Sequence, residues 1–308
     1  MRTMPRGATV EVDGRRIALY RAGEGGPPVV FLPGAGLIGL EYDNVLRAAA
    51  ELTTAVTYDR GGTGWSDPVP LPRRAADVAA ELRAALRAAG LPGPYVLAGH
   101  SMGAVYARRF AQLFPADVAG LLLIDPGHED ILRFLPPEVV AMNEAMKPTW
   151  DELPDLTPEQ RSASAAALSQ VYREWPADLR EALVEHRLAT WRTGIAEGRN
   201  LEREVYAELA AGGPTPGVPL IVLTAAERNP LWAQHMPPDL LERAHDGIRA
   251  LHASIAASVP GGEQRFVEGA SHQYLHAQRP GPVLDALRDL LARAAGAGVP
   301  VKPVLGLG

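Results

Sequence analysis

Gly99-His100-Ser101-Met102-Gly103 sets one hydroxyl between two glycines in the spacing G-x-S-x-G. The pattern carries chemistry where a strand turns abruptly into a helix. Tyr95-Val96-Leu97-Ala98, behind Pro92-Gly93-Pro94, reads as a short buried strand, and Met102 to Phe114, stopped by Pro115, reads as a helix. Ser101 then stands at a strand tip and a helix N-terminus, with glycines where a tight turn leaves no room for side chains. A serine hydroxyl is a weak nucleophile at neutral pH. Acyl transfer from such a position therefore needs a base to take its proton and N–H donors to hold the oxyanion that forms.

The elements that must position this serine can be read along the chain. Thr9 to Val12 and Ile17 to Arg21, joined by Asp13-Gly14, predict a hairpin, and Pro28 to Leu32 predicts an apolar strand ended by Pro33-Gly34-Ala35-Gly36. Leu40 to Leu52 predicts a helix, Thr54 to Tyr58 a strand, Pro72 to Ala89 a helix closed by Gly90, and Leu121 to Ile124 another buried strand. Strands alternating with helices imply an α/β architecture around a parallel sheet covered on both faces. From Gly127 to Gly213 prolines punctuate short segments before a mostly helical stretch, which predicts a helical lid inserted after strand six. The sheet resumes at Pro219 to Leu223, followed by a helix from Asp239 to about Ser258, a strand at Gln264 to Val267 and a closing helix from Pro282 to Ala294. The expected organisation is one discontinuous core, residues 1–126 and 214–308, with the lid at 127–213.

Bulk properties narrow the function. The 308 residues suffice for one large α/β domain with an insertion, or for two modest domains. A formal net charge of -6 argues against a nucleic-acid partner, and 0 cysteines leave no disulfide framework, thiolate nucleophile or thiolate metal site. No H-E-x-x-H or comparable spacing is present, so no metal and no cofactor are expected. The longest apolar runs are too short to span a bilayer. The opening residues Met1 to Gly7 lack an apolar signal region, which makes the cytoplasm the expected location.

Four segments in order give the chain a resemblance to α/β-hydrolase-fold serine hydrolases of the esterase type. These are the glycine-rich turn after strand three, Asp59-Arg60-Gly61-Gly62-Thr63-Gly64-Trp65-Ser66-Asp67 after strand four, the Ser101 turn after strand five, and Gly269-Ala270-Ser271-His272 after the last strand. The similarity spans the sheet, roughly residues 8 to 126 and 214 to 294, and leaves the lid uncovered. It implies Ser101 as nucleophile, His272 as base, and an oxyanion hole from the backbone N–H groups of Ala35 and Met102. His100 and His276 are read as packed or hydrogen-bonded neighbours, and His128, His186, His235, His245 and His252 as surface or lid residues. The Asp59 segment is given a loop-shaping role and no catalytic one.

The acid departs from the resemblance. In most relatives it follows the strand after the lid, where this chain has Glu227-Arg228-Asn229 with an amide in place of aspartate. Asp125, at the end of strand six, is preferred over Glu227 as the charged partner of His272. The expected activity is hydrolysis of a carboxylic ester, or a lactone or related acyl compound, through an acyl-enzyme. Rival readings are a cofactor-free perhydrolase, an amide, thioester or carbon–carbon bond hydrolase, and a ligand-binding receptor that keeps the triad. Trp150, Trp175, Trp191 and Trp232, with Phe134, Met142 and Met146, could line an apolar pocket, although aromatic residues in helices are more often ordinary core; the substrate leans only toward a small hydrophobic acyl ester. Oligomeric state is left open.

Overall fold

The computed structural model describes residues 4–147 and 153–296. An eight-stranded sheet runs in the order β1-β2-β4-β3-β5-β6-β7-β8. β1 (Ala8–Val12) and β2 (Arg15–Ala22) form the antiparallel hairpin, turned by Asp13 at φ 49° and Gly14 at φ 73°, the positive-φ pair that suits a two-residue turn. β2 joins β4 (Ala55–Tyr58) antiparallel. From β4 onward, β3 (Val29–Leu32), β5 (Tyr95–His100), β6 (Val118–Ile124), β7 (Leu220–Ala225) and β8 (Glu263–Val267) are all parallel.

Alternation along each central strand feeds two cores. Val30, Leu32, Leu97, Leu121 and Leu123 face a layer built from α2 (Ala75–Ala88), α3 (Met102–Leu113) and α11 (Pro238–Ala257). Val29, Phe31, Val96, Ala98, Leu122 and Ile124 face α1 (Asp43–Ala49) and α13 (Pro280–Gly296). Both faces are apolar because both are covered, as a parallel sheet requires.

The connection from β6 to β7 carries α4 (Ile131–Phe134), α5 (Pro137–Met146), α6 (Pro158–Val171), α7 (Ala177–Ala189), α8 (Thr193–Gly198), a π-helical turn (Leu201–Val205) and α9 (Tyr206–Ala211). α6 starts on a capping box, Thr157 accepting from the Gln160 N–H while the Gln160 side chain accepts from the Thr157 N–H. α10 (Pro230–Ala233) and α12 (Leu275–Gln278) complete the set.

Local departures from the sequence expectations have physical causes. The helix read from Leu40 opens as a 3₁₀ turn, Gly39–Tyr42, before α1. α2 begins at Ala75, three residues after Pro72, where the Glu208 carboxylate accepts from the Ala75 and Ala76 N–H groups and satisfies the free helix start. No helix among the described residues is long and apolar enough to cross a membrane.

Candidate active site

The turn from β5 into α3 requires its glycines. A Cβ on Gly99 would lie 2.5 Å from Ala104 Cα, and one on Gly103 would lie 2.0 Å from the Leu32 carbonyl oxygen, so α3 packs down onto β3 only without side chains there. Ser101 between them adopts φ 52°, ψ −118°, a conformation an L-residue rarely holds. Its backbone is fixed on three sides: its N–H donates to Ile124 O (3.0 Å), and its carbonyl accepts from Ala104 N–H (3.1 Å) and Gly127 N–H (3.2 Å).

Ser101 Oγ lies 3.0 Å from His272 Nε2, and His272 Nδ1 lies 2.6 Å from Asp125 Oδ2. A carboxylate accepts only, so Nδ1 carries the proton and the Nε2 lone pair faces the hydroxyl. The other carboxylate oxygen, Asp125 Oδ1, accepts from the Ala225 N–H at 2.8 Å. Burial pushes the Asp125 carboxyl up, but the hydrogen bond from His272 and the nearby imidazoles hold it down at about 2. Desolvation lowers His272, and the hydrogen bond and charge of Asp125 outweigh it, leaving the imidazole raised above its ordinary value. Glu227 is turned elsewhere, accepting from the Gly269 N–H at 3.2 Å on the exposed rim. Asn229 Oδ1 accepts from Trp232 N–H at 3.3 Å, at the start of α10.

Behind this line, His100 Nε2–H donates to the His272 carbonyl at 2.7 Å. Its Nδ1 therefore accepts from the Tyr42 hydroxyl (2.7 Å), which in turn accepts from the Gly34 N–H (3.3 Å). Burial lowers His100 to about 4, so it stays neutral in this role. His276 is fully buried and stacks on Tyr42 with ring centroids 3.9 Å apart.

Ala35 and Met102, read as oxyanion donors, flank Ser101: Met102 follows it as the first residue of α3, where N–H groups lack intrahelical acceptors. Ala35 follows Gly34, whose Cβ position is 3.4 Å from Ser101 Cβ. The Asp59 segment shapes the surroundings as expected. The buried Asp59 carboxylate accepts from Gly39 N–H, Tyr20 O–H and Trp65 N–H, and a Cβ on Gly64 would collide with it at 2.0 Å.

The surface or lid placement of His252 is corrected. It is buried on α11, with Nδ1 3.8 Å from Asp125 Oδ1 and 2.9 Å from Thr224 Oγ1, while Nε2–H donates to Pro126 O at 3.2 Å. The signal was available, because position 252 falls beside Leu251 on the helix stripe that also buries Leu241, Ala244 and Ile255. His245 is likewise buried on α11 and accepts from the Asn229 N–H at 3.0 Å.

Several residues that could line a pocket or serve as ordinary core take the second role. Trp175 is buried and donates to Leu40 O at 3.2 Å, Trp232 and Met142 pack in a small separate core with Val139 and Leu241, and Phe134 packs against the α2/α3 core. Trp150 lies outside the described residues. A cavity of about 180 Å³ is lined by Gly36, Thr63, Ser66, His186, Thr190 and Thr193, and neither Ser101 nor His272 lines it. Among the described residues no group of three His, Cys, Asp or Glu side chains could hold a metal ion.

Comparison with known proteins agrees with this architecture. A thermophilic esterase from Thermogutta terrifontis is similar in structure, with 20% identity and a TM-score of 0.64 covering 94% of this chain and 99% of that one. Est816, described as an N-acyl homoserine lactone degrading enzyme, superposes with 21% identity and a TM-score of 0.54 over 92% of this chain and 99% of that one. In sequence, the uncharacterized protein YbdG of Bacillus subtilis is 28% identical over 124 residues, 40% of this chain, and the match spans 38% of that protein's length. The family model for the Alpha/beta hydrolase family matches residues 29–286. With that match running from β3 into α13, the chain belongs to the α/β-hydrolase family.

Proposed function

We propose that this chain is a serine hydrolase that cleaves a carboxylic ester, lactone or related acyl compound through an acyl-enzyme on Ser101. The observation that carries the reading is the line Ser101 Oγ, His272 Nε2, His272 Nδ1, Asp125 Oδ2, with contacts of 3.0 and 2.6 Å at a strained strand-to-helix turn. In the first half-reaction Ser101 Oγ attacks the acyl carbon while His272 Nε2 takes its proton. Asp125 stabilises the resulting imidazolium, and the N–H groups of Ala35 and Met102 hold the oxyanion. The tetrahedral adduct then expels the alcohol, protonated by His272. Water, deprotonated by His272, attacks the acyl-enzyme, and its collapse releases the acid and returns the proton to Ser101.

The helical connection 127–213 is proposed to act as a lid that selects acyl or alcohol groups, because an insertion after β6 emerges at the carboxyl end of the strands, where Ser101 stands. Its substitutions should alter relative kcat/KM among substrates more than the labelling of Ser101 by a small reagent.

The deciding experiment is fluorophosphonate labelling with peptide mapping, run beside hydrolysis of p-nitrophenyl esters of graded chain length. Label on Ser101 and ester turnover, both lost in Ser101→Ala, support the reading. Label without turnover on any ester points to another acyl chemistry, and no label on Ser101 overturns the nucleophile.

A further inference from the structure

The turn after β3 is held from outside the active site by two charged side chains, Arg60 and Glu197, both nearly devoid of solvent contact, with side chains 1% and 3% exposed. Arg60 Nη1–H donates to Pro33 O at 2.6 Å and Nη2–H to Gly34 O at 2.9 Å. The same guanidinium meets Glu197 through Nε–H to Oε1 at 2.9 Å and Nη2–H to Oε2 at 3.1 Å. Glu197 Oε2 also accepts from the Gly36 N–H at 2.6 Å, and Arg187 of α7 donates to the Gly36 carbonyl at 2.5 Å.

A trans peptide points its N–H opposite to its carbonyl. With Pro33 O drawn to Arg60, the Gly34 N–H must face away, and it does, toward the Tyr42 hydroxyl. The same rule applied one peptide later turns the Ala35 N–H away from Arg60 once Gly34 O is held there. Neighbouring backbone groups on this turn are occupied: Pro33 O, Gly34 N–H, Gly34 O, Gly36 N–H and Gly36 O each have a partner. No acceptor among the described residues meets the Ala35 N–H. A guanidinium on the carbonyl of the same peptide also polarises that N–H toward a stronger donor.

We infer that Arg60 and Glu197 form a positioning pair that aims the Ala35 N–H at the developing oxyanion, so that the connection between β6 and β7 completes the oxyanion hole of the core. Neither residue touches the reacting atoms. Glu197 sits on α8, so the β6–β7 connection is part of the catalytic geometry as well as a cover. Close backbone contact supports the coupling: a Cβ on Gly36 would lie 2.8 Å from Gly194 Cα, so α8 rests directly on the turn. The inference rests on the serine-hydrolase reading.

The test uses the full chain and the substitutions Arg60→Lys and Glu197→Gln. Lysine keeps a charge opposite Glu197 but cannot donate to two carbonyls and a carboxylate in one plane. Glutamine keeps the shape and one acceptor. Losing one oxyanion donor costs on the order of 10²–10³ in kcat. Arg60→Lys is expected to lower kcat on p-nitrophenyl acetate about 10²-fold with KM changed by less than about threefold. The affinity of an arylboronic acid, which forms a tetrahedral anion on serine, should weaken in parallel, while the acid limb of the pH profile stays in place. Glu197→Gln should shift the same quantities in the same direction by about tenfold.

Folded variants that keep kcat and boronate affinity within about threefold of the parent, or that lose activity through KM or a moved acid limb, overturn the inference. Hydrogen exchange on the unsubstituted protein gives a reading independent of variant folding. The Gly36 N–H should be protected to the level of the sheet, and exchange at exposed-loop rates overturns the pair's role. Absence of fluorophosphonate label on Ser101 would instead sink the serine-hydrolase reading, and the exchange result would still stand on its own.

Discussion

Replacing Asp125 by asparagine should be severe, for a reason set by its two hydrogen bonds. Asp125 Oδ1 accepts from the Ala225 N–H and Oδ2 accepts from His272 Nδ1–H. An amide has one oxygen for these two donors. With the oxygen on Ala225, the NH₂ faces His272 and forces Nδ1 to become an acceptor. The proton then moves to Nε2, which can no longer take the Ser101 proton. The flipped amide sets NH₂ against the Ala225 N–H, two donors in contact. In a known triad the wrong tautomer costs about 10⁴ in kcat, or about 5 kcal/mol of barrier. A pH effect accompanies the loss. In the proposed mechanism activity needs neutral His272, so the acid limb of kcat/KM should lie at its raised pKa, above the ordinary imidazole value. Without the carboxylate only desolvation acts on the ring, so the limb of Asp125→Asn should move below the ordinary imidazole value. The assay is kcat/KM for a p-nitrophenyl ester between pH 4 and 9, with circular dichroism to verify folding. A loss smaller than about tenfold, or an unmoved acid limb, would refute the reasoning.

Further outcomes follow from single positions. Glu227→Gln should stay within about threefold of the parent in kcat/KM, because Glu227 caps the Gly269 N–H on the rim and does not meet His272; a loss like that of Asp125→Asn would reassign the acid. Ser101→Gly and Ser101→Ala should lose activity alike, but glycine relieves the φ 52° strain, so by thermal melting Ser101→Gly should be more stable by about 1 kcal/mol after glycine's entropic cost. Gly103→Ala should lose about 3 kcal/mol or more in urea unfolding, since its Cβ would sit 2.0 Å from Leu32 O. Adding Asn229→Asp to Asp125→Asn should restore no more than about threefold of the lost activity, because side-chain atom Oδ1 of residue 229 accepts from the Trp232 N–H at the start of α10.

The sheet was legible in the sequence because apolar runs such as Leu121 to Ile124 are bounded by glycine and proline, and because a strand buried on both faces needs no subtler signature. The strand boundaries were less so: β6 starts at Val118 and β5 runs to His100, since pairing extends strands past the apolar run into Ala119-Gly120 and Gly99-His100. Ser101, His272 and Asp125 could be singled out because each follows a strand, Ser101 and Asp125 directly after β5 and β6 and His272 in the loop after β8, which ties sequence position to place. Tyr42, Arg60 and Glu197 could not. Arg60 meets Glu197 across 137 positions of chain and Tyr42 meets His100 across 58, contacts that arise only once helices have packed. Trp175 and Trp232 show the converse: large apolar side chains near a site could serve either as lining or as ordinary core, and packing decided for the core.

The place of the carboxylate follows from strand register. β6 and β7 run parallel with Ile124 paired to Leu223, so their tips stand side by side at the ordinary strand spacing of about 4.8 Å. Carboxylates on the two tips would therefore approach the same imidazole from points one strand spacing apart, and what matters is which tip can aim inward. The β7 tip cannot in this chain: Ala226 N–H donates to Val267 O and Glu227 N–H to Ala270 O, which ties the backbone to the β8 side and carries the Glu227 carboxylate to the rim. The β6 tip can. Asp125 N–H is anchored on Leu223 O at 2.7 Å, and a φ of 44°, which aspartate tolerates better than most residues, turns its side chain toward His272 while Oδ1 takes the Ala225 N–H. The β7 tip thus supplies a backbone donor to the Asp125 carboxylate instead of a carboxylate to the ring. An amide at position 229 is compatible with the arrangement because the charge on the ring is supplied one strand away.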